Sequence, residues 1–98
     1  MKEADLQRTI RKHLMEKYGA QCIKHHGSMY SEAGTADILC ALPPKGKYLA
    51  IEVKLPDKKP TKLQLLWLGK YKEVGAIVGV VTSIKDVDNL LENYLDNT

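Results

Sequence analysis

Two apolar segments joined by a short polar turn constrain the fold of this chain more than any other feature. They lie in GTADILCALPPKGKYLAIEVK, residues 34–54. Because side chains on a strand alternate between its two faces, the pattern predicts a β-hairpin with strands at about 36–42 and 48–54. A one-residue slip would turn the apolar face toward solvent, so the register is fixed. The residues predicted to form this core-facing surface are Ala36, Ile38, Cys40, Leu42, Leu49, Ile51 and Val53.

Three charged residues gather at one end of this hairpin. With the turn centred between Pro44 and Lys45, Asp37 lies opposite Glu52, and Lys54 follows on the face of Glu52. Two like charges directly opposed destabilise a sheet, and a Mg²⁺ ion held by one or two carboxylates would offset them. The alternative is that Lys54 alone neutralises the pair. A metal beside a lysine suggests phosphodiester hydrolysis, in which both stabilise charge on the phosphate.

Apolar periodicity places the other elements around the hairpin. Residues 3–18 predict a helix that ends at Gly19, and residues 21–26 predict a short strand. Residues 61–73 predict a second helix, and the valine-rich run 75–82 a strand covered on both faces. A last helix opens at Ser83, with Asp86 completing a capping box. We therefore predict one α/β domain over residues 1–98, of order α-β-β-β-α-β-α, with a small mixed sheet flanked by helices.

Composition narrows the class of protein. Apolar residues make up 44% of the 98 residues and charged residues 28%, as in a folded globular domain. No apolar run is long enough to cross a membrane and the N-terminus lacks the apolar core of a signal peptide, so we expect a cytoplasmic protein. Cys22 and Cys40 are accordingly expected to be reduced thiols.

Charge is spread unevenly along the chain. The net charge is +3, but residues 83–98 carry one lysine against four acidic residues, which leaves +6 on residues 1–82. A basic body with an acidic end favours an anionic partner such as nucleic acid. An ordinary solvated surface would explain the same distribution.

The residues of the hairpin and of the helix after it resemble the VRR-NUC family of the PD-(D/E)xK nuclease superfamily. The resemblance runs from Glu3 to the last helix and implies a restriction-endonuclease-like core. Ala36 stands where the family usually has a proline, a position that shapes the backbone. The matching residues are Gly34, Asp37, Glu52, Lys54 and Gln64.

The resemblance also implies roles for these residues. Asp37 and Glu52 resemble the ligands of Mg²⁺ or Mn²⁺, with the main-chain carbonyl of Val53 as a third ligand, and Lys54 resembles the catalytic lysine. Glu3 resembles an acidic residue that reaches the metal through water, although a first-turn glutamate is also favoured by the helix dipole. Gln64 resembles a glutamine near the active site, although Thr61 and Gln64 also fit a capping box.

Short stand-alone members of the family, often from phages, are similar to this chain in extent. They imply a homodimeric, structure-selective endonuclease that resolves four-way (Holliday) junctions, in the cytoplasm of a bacterium or a phage-infected cell. The alternatives are a nuclease for flaps or other branched DNA, a catalytically silent nucleic-acid-binding module, and an interaction protein in which Asp37, Glu52 and Lys54 form only an ion pair.

Further residues near the expected site are candidates for DNA contact. Lys58, Lys59 and Lys62 follow the strand that carries Glu52 and are predicted to contact the phosphate backbone, unless they belong to a solvated loop. His26 could touch phosphate and Tyr30 could stack on a base, although a polar surface role for the histidine and a packing role for the tyrosine are the more common ones.

Overall fold

The chain alternates helices and strands in the predicted order. The computed structural model describes residues 2–24 and 36–96, apart from the side chains of residues 93, 95 and 96. Its elements are α1 (Glu3–Tyr18), β1 (Gln21–Lys24), β2 (Ile38–Leu42), β3 (Lys47–Val53), α2 (Lys62–Glu73), β4 (Ile77–Val81) and α3 (Ile84–Asp96). None of the helices in these ranges is long and apolar enough to span a membrane.

The four strands form one mixed sheet in the order β1-β2-β3-β4. The first three are antiparallel neighbours, and β4 runs parallel to β3. Leu39 pairs with Ala50 and Ala41 with Tyr48, so the register predicted for the hairpin is confirmed. The turn reverses at Gly46, whose φ of 75° lies in the left-handed region that glycine adopts without steric cost.

The main core lies between one face of the sheet and helices α1 and α3. Leu6, Ile10 and Leu14 recur at helical spacing and are buried, and Gly19 ends α1 with a φ of 67°. Six of the seven apolar hairpin residues face this core, as predicted. The exception is Ala36, which packs with Ala50 and Leu68 on the opposite face because β2 begins only at Ile38 and strict alternation ends there.

Helix α2 covers part of the second face, over β3 and β4. It begins with the predicted capping box: Gln64 N donates to Thr61 Oγ1 at 3.1 Å, and Thr61 N donates to Gln64 Oε1 at 2.8 Å. Of its 12 residues only Leu68 is buried, while Leu65 and Leu66 are half exposed. An apolar surface of α2 therefore points away from the sheet.

The valine-rich run forms β4, which α3 covers on one face and α2 on the other, as predicted. Strand β4 is an edge of the four-stranded sheet, and of its five residues only Val81 is buried. Gly79 lies beneath α3, where an added Cβ would come within 2.7 Å of Leu90 Cδ2. The absence of a side chain at Gly79 thus lets the helix pack closely on the strand.

Helix α3 begins after Ser83, whose hydroxyl accepts from Asp86 N at 3.1 Å. The Asp86 carboxylate accepts from the main-chain N–H and the hydroxyl of Thr82, one residue before the position a capping box would use. These bonds hold the pKa of Asp86 below its usual value. They also fix the step from β4 into α3.

The prediction that Cys22 and Cys40 are reduced thiols was wrong. Cys22 on β1 lies directly opposite Cys40 on β2, and the two sulfur atoms form a disulfide. Opposed residues of antiparallel strands bring their Cβ atoms close together, which places the two sulfurs within bonding reach. The register of β1 was not predicted from the sequence, so this proximity was missed.

Candidate active site

Asp37 lies just before β2, at the end of the hairpin away from the turn. Its Oδ2 atom accepts a hydrogen bond of 2.9 Å from the main-chain N–H of Val53, at the end of β3. This bond continues the contact between the two strands one step past the last paired residues, Ile38 and Ile51. It holds the half-buried Asp37 carboxylate against the strand that carries Glu52.

Glu52 is the most unusual residue of the core. Its side chain is 0% exposed, and neither carboxylate oxygen has a hydrogen-bond partner among the described residues. A buried charge without a partner is costly, so such a group either takes up a proton or binds a cation. Burial, and then the neighbouring Asp37 carboxyl, raise the pKa of Glu52 from 4.5 to about 9.

Lys54 follows β3 directly and is half buried. Its main-chain N–H donates to Val81 O at 3.0 Å, which anchors it at the end of the β3–β4 ladder. Its positive charge acts on Glu52 in the direction opposite to burial and to Asp37, because it favours the ionised carboxylate. That effect is smaller than the other two.

Glu3, in the first turn of α1, lies near enough to Glu52 for its charge to raise the pKa of that residue slightly. The structure thus brings Glu3 toward the same end of the sheet. Within residues 2–24 and 36–96, however, no three His, Cys, Asp or Glu side chains come together as a metal-binding group. A water-mediated role for Glu3 stays a prediction.

Gln64 is half buried in the first turn of α2. Its Oε1 atom accepts a hydrogen bond from Thr61 N, so the predicted capping box is confirmed. That bond uses the acceptor of the side-chain amide and leaves its two N–H groups for another partner. Capping and a role near the site are therefore compatible, and the latter stays a prediction.

The predicted DNA-contacting lysines all lie in exposed positions. Lys58 and Lys59 belong to the loop between β3 and α2, where Lys58 N donates to Leu55 O at 2.9 Å. Lys62 is the first residue of α2. His26 and Tyr30 lie outside the described residues.

The chemistry of the donor set suits a hard divalent cation. Asp37 and Glu52 supply carboxylate oxygens, and those of Glu52 have no other partner among the described residues. Such ions prefer oxygen ligands and are often held by one or two carboxylates, with waters completing the shell. The carbonyl of Val53, predicted as a third ligand, belongs to the residue that also orients Asp37.

Comparison with known proteins identifies the family to which this chain belongs. A search of solved structures found a chain titled "VRR_NUC domain" with 33% sequence identity and a TM-score of 0.75, covering 94% of this chain and 96% of that one. No family model matched the sequence, and no curated protein did. At that identity and coverage, this chain belongs to the VRR-NUC family, a family of nuclease domains.

One polar cluster was missed by sequence reasoning. Asp88 on α3 accepts from His13 Nε2 at 2.8 Å and from the Tyr18 hydroxyl, and Lys17 Nζ lies 3.2 Å from its other oxygen. These residues are about 70 positions apart in the chain, and no local motif signals their contact. The cluster ties α1 to α3 at their surface and contains none of the candidate catalytic residues.

Proposed function

We propose that this protein is a metal-dependent, structure-selective DNA endonuclease that hydrolyses phosphodiester bonds at four-way junctions as a homodimer. The observation that carries the proposal is the buried Glu52 carboxyl, without a hydrogen-bond partner among the described residues and next to Asp37 and Lys54. Buried ionisable groups with strongly shifted pKa values are concentrated at functional sites. Membership of a nuclease family supports interpreting this one as catalytic.

Asp37, Glu52 and the Val53 carbonyl would hold Mg²⁺ or Mn²⁺, with Glu3 contributing through water. The ion, when bound, would polarise a phosphoryl oxygen and stabilise the leaving oxygen. For this to occur Glu52 must release its proton, and a cation is the partner that would favour its ionised form. The hydrogen bond from Val53 N keeps Asp37 in place while this happens.

Lys54 would supply positive charge where negative charge builds up on the phosphate during attack. Its backbone is fixed by the bond to Val81, so its side chain extends from an anchored position when substrate arrives. The N–H groups of Gln64 would donate to a phosphate oxygen or to the attacking water. Lys58 and Lys59, exposed in the next loop, would contact phosphates along the DNA strand.

A junction contains two strands to be cut, and each chain provides one such site. A symmetric dimer would present two sites related by a two-fold axis, which fits the symmetry of a four-way junction. A monomer would be better matched to a flap, where one strand is cut.

The test is a cleavage panel. Labelled four-way junctions, flaps, duplex and single strands are incubated with the protein in Mg²⁺, in Mn²⁺ and in EDTA, with Lys54→Ala as the matched inactive control. The proposal expects paired cuts in the junction that need the metal and are absent from the control. Preferential cutting of flaps would show that the substrate is a flap, the alternative given above, and not a four-way junction. Binding without cutting under every condition would identify a catalytically silent module.

A further inference from the structure

Four residues form a stripe on the outer face of α2, the face that points away from the sheet. Lys62, Leu66, Gly69 and Glu73 are spaced by four, three and four positions, so they align along one side of the helix. All four are exposed, and Leu66 is 54% exposed. Leu65, beside the stripe, is 50% exposed. Exposed leucines grouped on one helix face are typical of an interaction surface.

Gly69 at the centre of the stripe has no explanation within one copy of the chain. A Cβ added there would meet no atom within 4 Å, and its φ is not in the left-handed region. Glycine is the poorest helix former after proline, so its place in mid-helix weakens α2. A glycine is needed at an exposed helix position where another backbone or a large side chain approaches closely.

The ends of the stripe carry opposite charges. Lys62 lies at the N-terminal end and Glu73 at the C-terminal end, and among the described residues neither forms an ion pair. Glu73 is the only acidic residue of α2. A surface that is positive at one end and negative at the other is complementary to itself when a second copy lies antiparallel to it.

We propose that this stripe is the surface on which two copies of the chain pair through antiparallel α2 helices. The two-fold axis passes between Leu66 and Gly69, so that Leu66 of each copy fills the space above Gly69 of the other. The same symmetry brings Lys62 of each copy to Glu73 of the other. Leu65 then covers the alkyl part of Lys70 of the second copy, as long basic side chains allow. Every contact occurs twice, as in an isologous interface.

This pairing deepens the proposed function, because it assigns the surface of the homodimer on which that function rests. It also assigns Lys62 to the interface and not to DNA. The test measures mass in the absence of DNA and metal, so its outcome is independent of whether the protein cleaves anything.

Sedimentation equilibrium of the full chain gives the first test. The wild type is expected at twice the 11.0 kDa chain mass. Gly69→Leu should weaken the dimer by about tenfold or more. The substitution favours the helix, and its Cβ meets no atom within 4 Å in the monomer, so a circular dichroism melt should show that the fold is retained. Met15→Glu, at an exposed apolar position of α1, is the matched control and should remain dimeric.

A charge exchange gives the second test, at low ionic strength. Lys62→Glu and Glu73→Lys should each be monomeric alone, because each places like charges against one another twice. Mixed in equal amounts they should form a heterodimer, since both cross-contacts are then of opposite sign. A monomeric wild type, a Gly69→Leu variant that dimerises normally, or a mixture that stays monomeric would each overturn the proposal. A monomeric wild type whose DNA affinity falls in Gly69→Leu would instead assign the stripe to DNA.

Discussion

The main-chain N–H of Val53 donates a hydrogen bond of 2.9 Å to Oδ2 of Asp37, 16 residues earlier in the chain. This bond places one carboxylate against the end of β3, where the adjacent Glu52 is buried with no hydrogen-bond partner among the described residues. Because the backbone N–H already orders the Asp37 side chain, binding a metal ion would cost less side-chain entropy there than at a free surface aspartate. The candidate metal site therefore lies at the end of the hairpin, on two segments joined by this bond.

Lys54→Ala should reduce cleavage of a four-way junction by about 100-fold or more, which is the usual effect of losing a group that stabilises transition-state charge. Junction affinity, measured in Ca²⁺ by fluorescence anisotropy, should stay close to that of the wild type. Lys85→Ala, an exposed lysine on α3, is the control for a lost positive charge. A Lys54→Ala variant that keeps more than about a tenth of the wild-type rate would contradict the catalytic role.

Glu52→Gln should stabilise the metal-free protein at alkaline pH. The native pKa of Glu52 is about 9, against 4.5 as its ordinary value. Between these values the native protein holds a proton that the unfolded chain has lost, so the stability from this carboxyl is complete below the lower value and falls as pH rises toward the upper one. Glutamine has no such dependence. In EDTA the variant should melt well above wild type at about pH 8 and close to it at about pH 5.

The same melts repeated with saturating Mg²⁺ separate this effect from general stabilisation. Wild type should gain stability at alkaline pH, because the ion binds the native state, and Glu52→Gln should gain little. Glu16→Gln, at an exposed position of α1, controls for the loss of one negative charge. Equal slopes of melting temperature against pH for wild type and Glu52→Gln would show that Glu52 is ionised in the metal-free protein.

Lys58→Ala combined with Lys59→Ala should weaken binding to every DNA substrate to a similar degree, since phosphate contacts carry no sequence information. The slope of log affinity against log salt should become shallower by roughly two, about one for each phosphate that the variant no longer neutralises. Lys12→Ala with Lys85→Ala removes the same charge from exposed positions on other helices. If both double variants change the slope equally, the loop does not contact DNA.

Asp88→Asn should lower stability at neutral pH by about 1 kcal/mol, because the cluster is partly exposed and solvent screens it. Burial raises the pKa of Asp88, but hydrogen bonds from His13, Tyr18 and Lys17 outweigh it and hold the pKa at about 2 against an ordinary 3.8. The stabilisation is thus complete above the ordinary value and is lost as pH falls toward the native one.

Acid titration followed by circular dichroism checks this. The difference between wild type and Asp88→Asn should be present at neutral pH and should vanish by about pH 2. Asp57→Asn, in an exposed loop, should not differ from wild type at either pH. A gap between wild type and Asp88→Asn that persists unchanged into acid would mean that the Asp88 carboxylate does not stabilise the fold through its charge.

The parts of the fold that follow from local pattern could be predicted. Alternating apolar residues fixed the register of β2 against β3, because only one register buries all of them. The recurrence of Leu6, Ile10 and Leu14 gave the bounds of α1. The capping box of α2 could be predicted because Thr61 and Gln64 lie within one helical turn.

Features that depend on contacts between distant segments could not be predicted. The hairpin register brought Asp37 to Glu52, but it could not show that Glu52 is buried without a hydrogen-bond partner among the described residues, which depends on packing around the end of the sheet. The pairing of Cys22 with Cys40 needed the register of β1, whose four residues carry too weak an alternation to fix one. The edge position of β4 likewise depends on strand order and not on its own composition.

The most direct test of the central claim is single-turnover cleavage of a labelled four-way junction by wild type and Glu52→Gln, each in Mg²⁺ and in EDTA. The account predicts paired cuts by wild type in Mg²⁺ only, and a rate at least about 100-fold lower for Glu52→Gln in either condition. Cleavage by the wild type in EDTA, or cleavage by Glu52→Gln in Mg²⁺ at the wild-type rate, would contradict a metal-dependent active site built on this carboxyl.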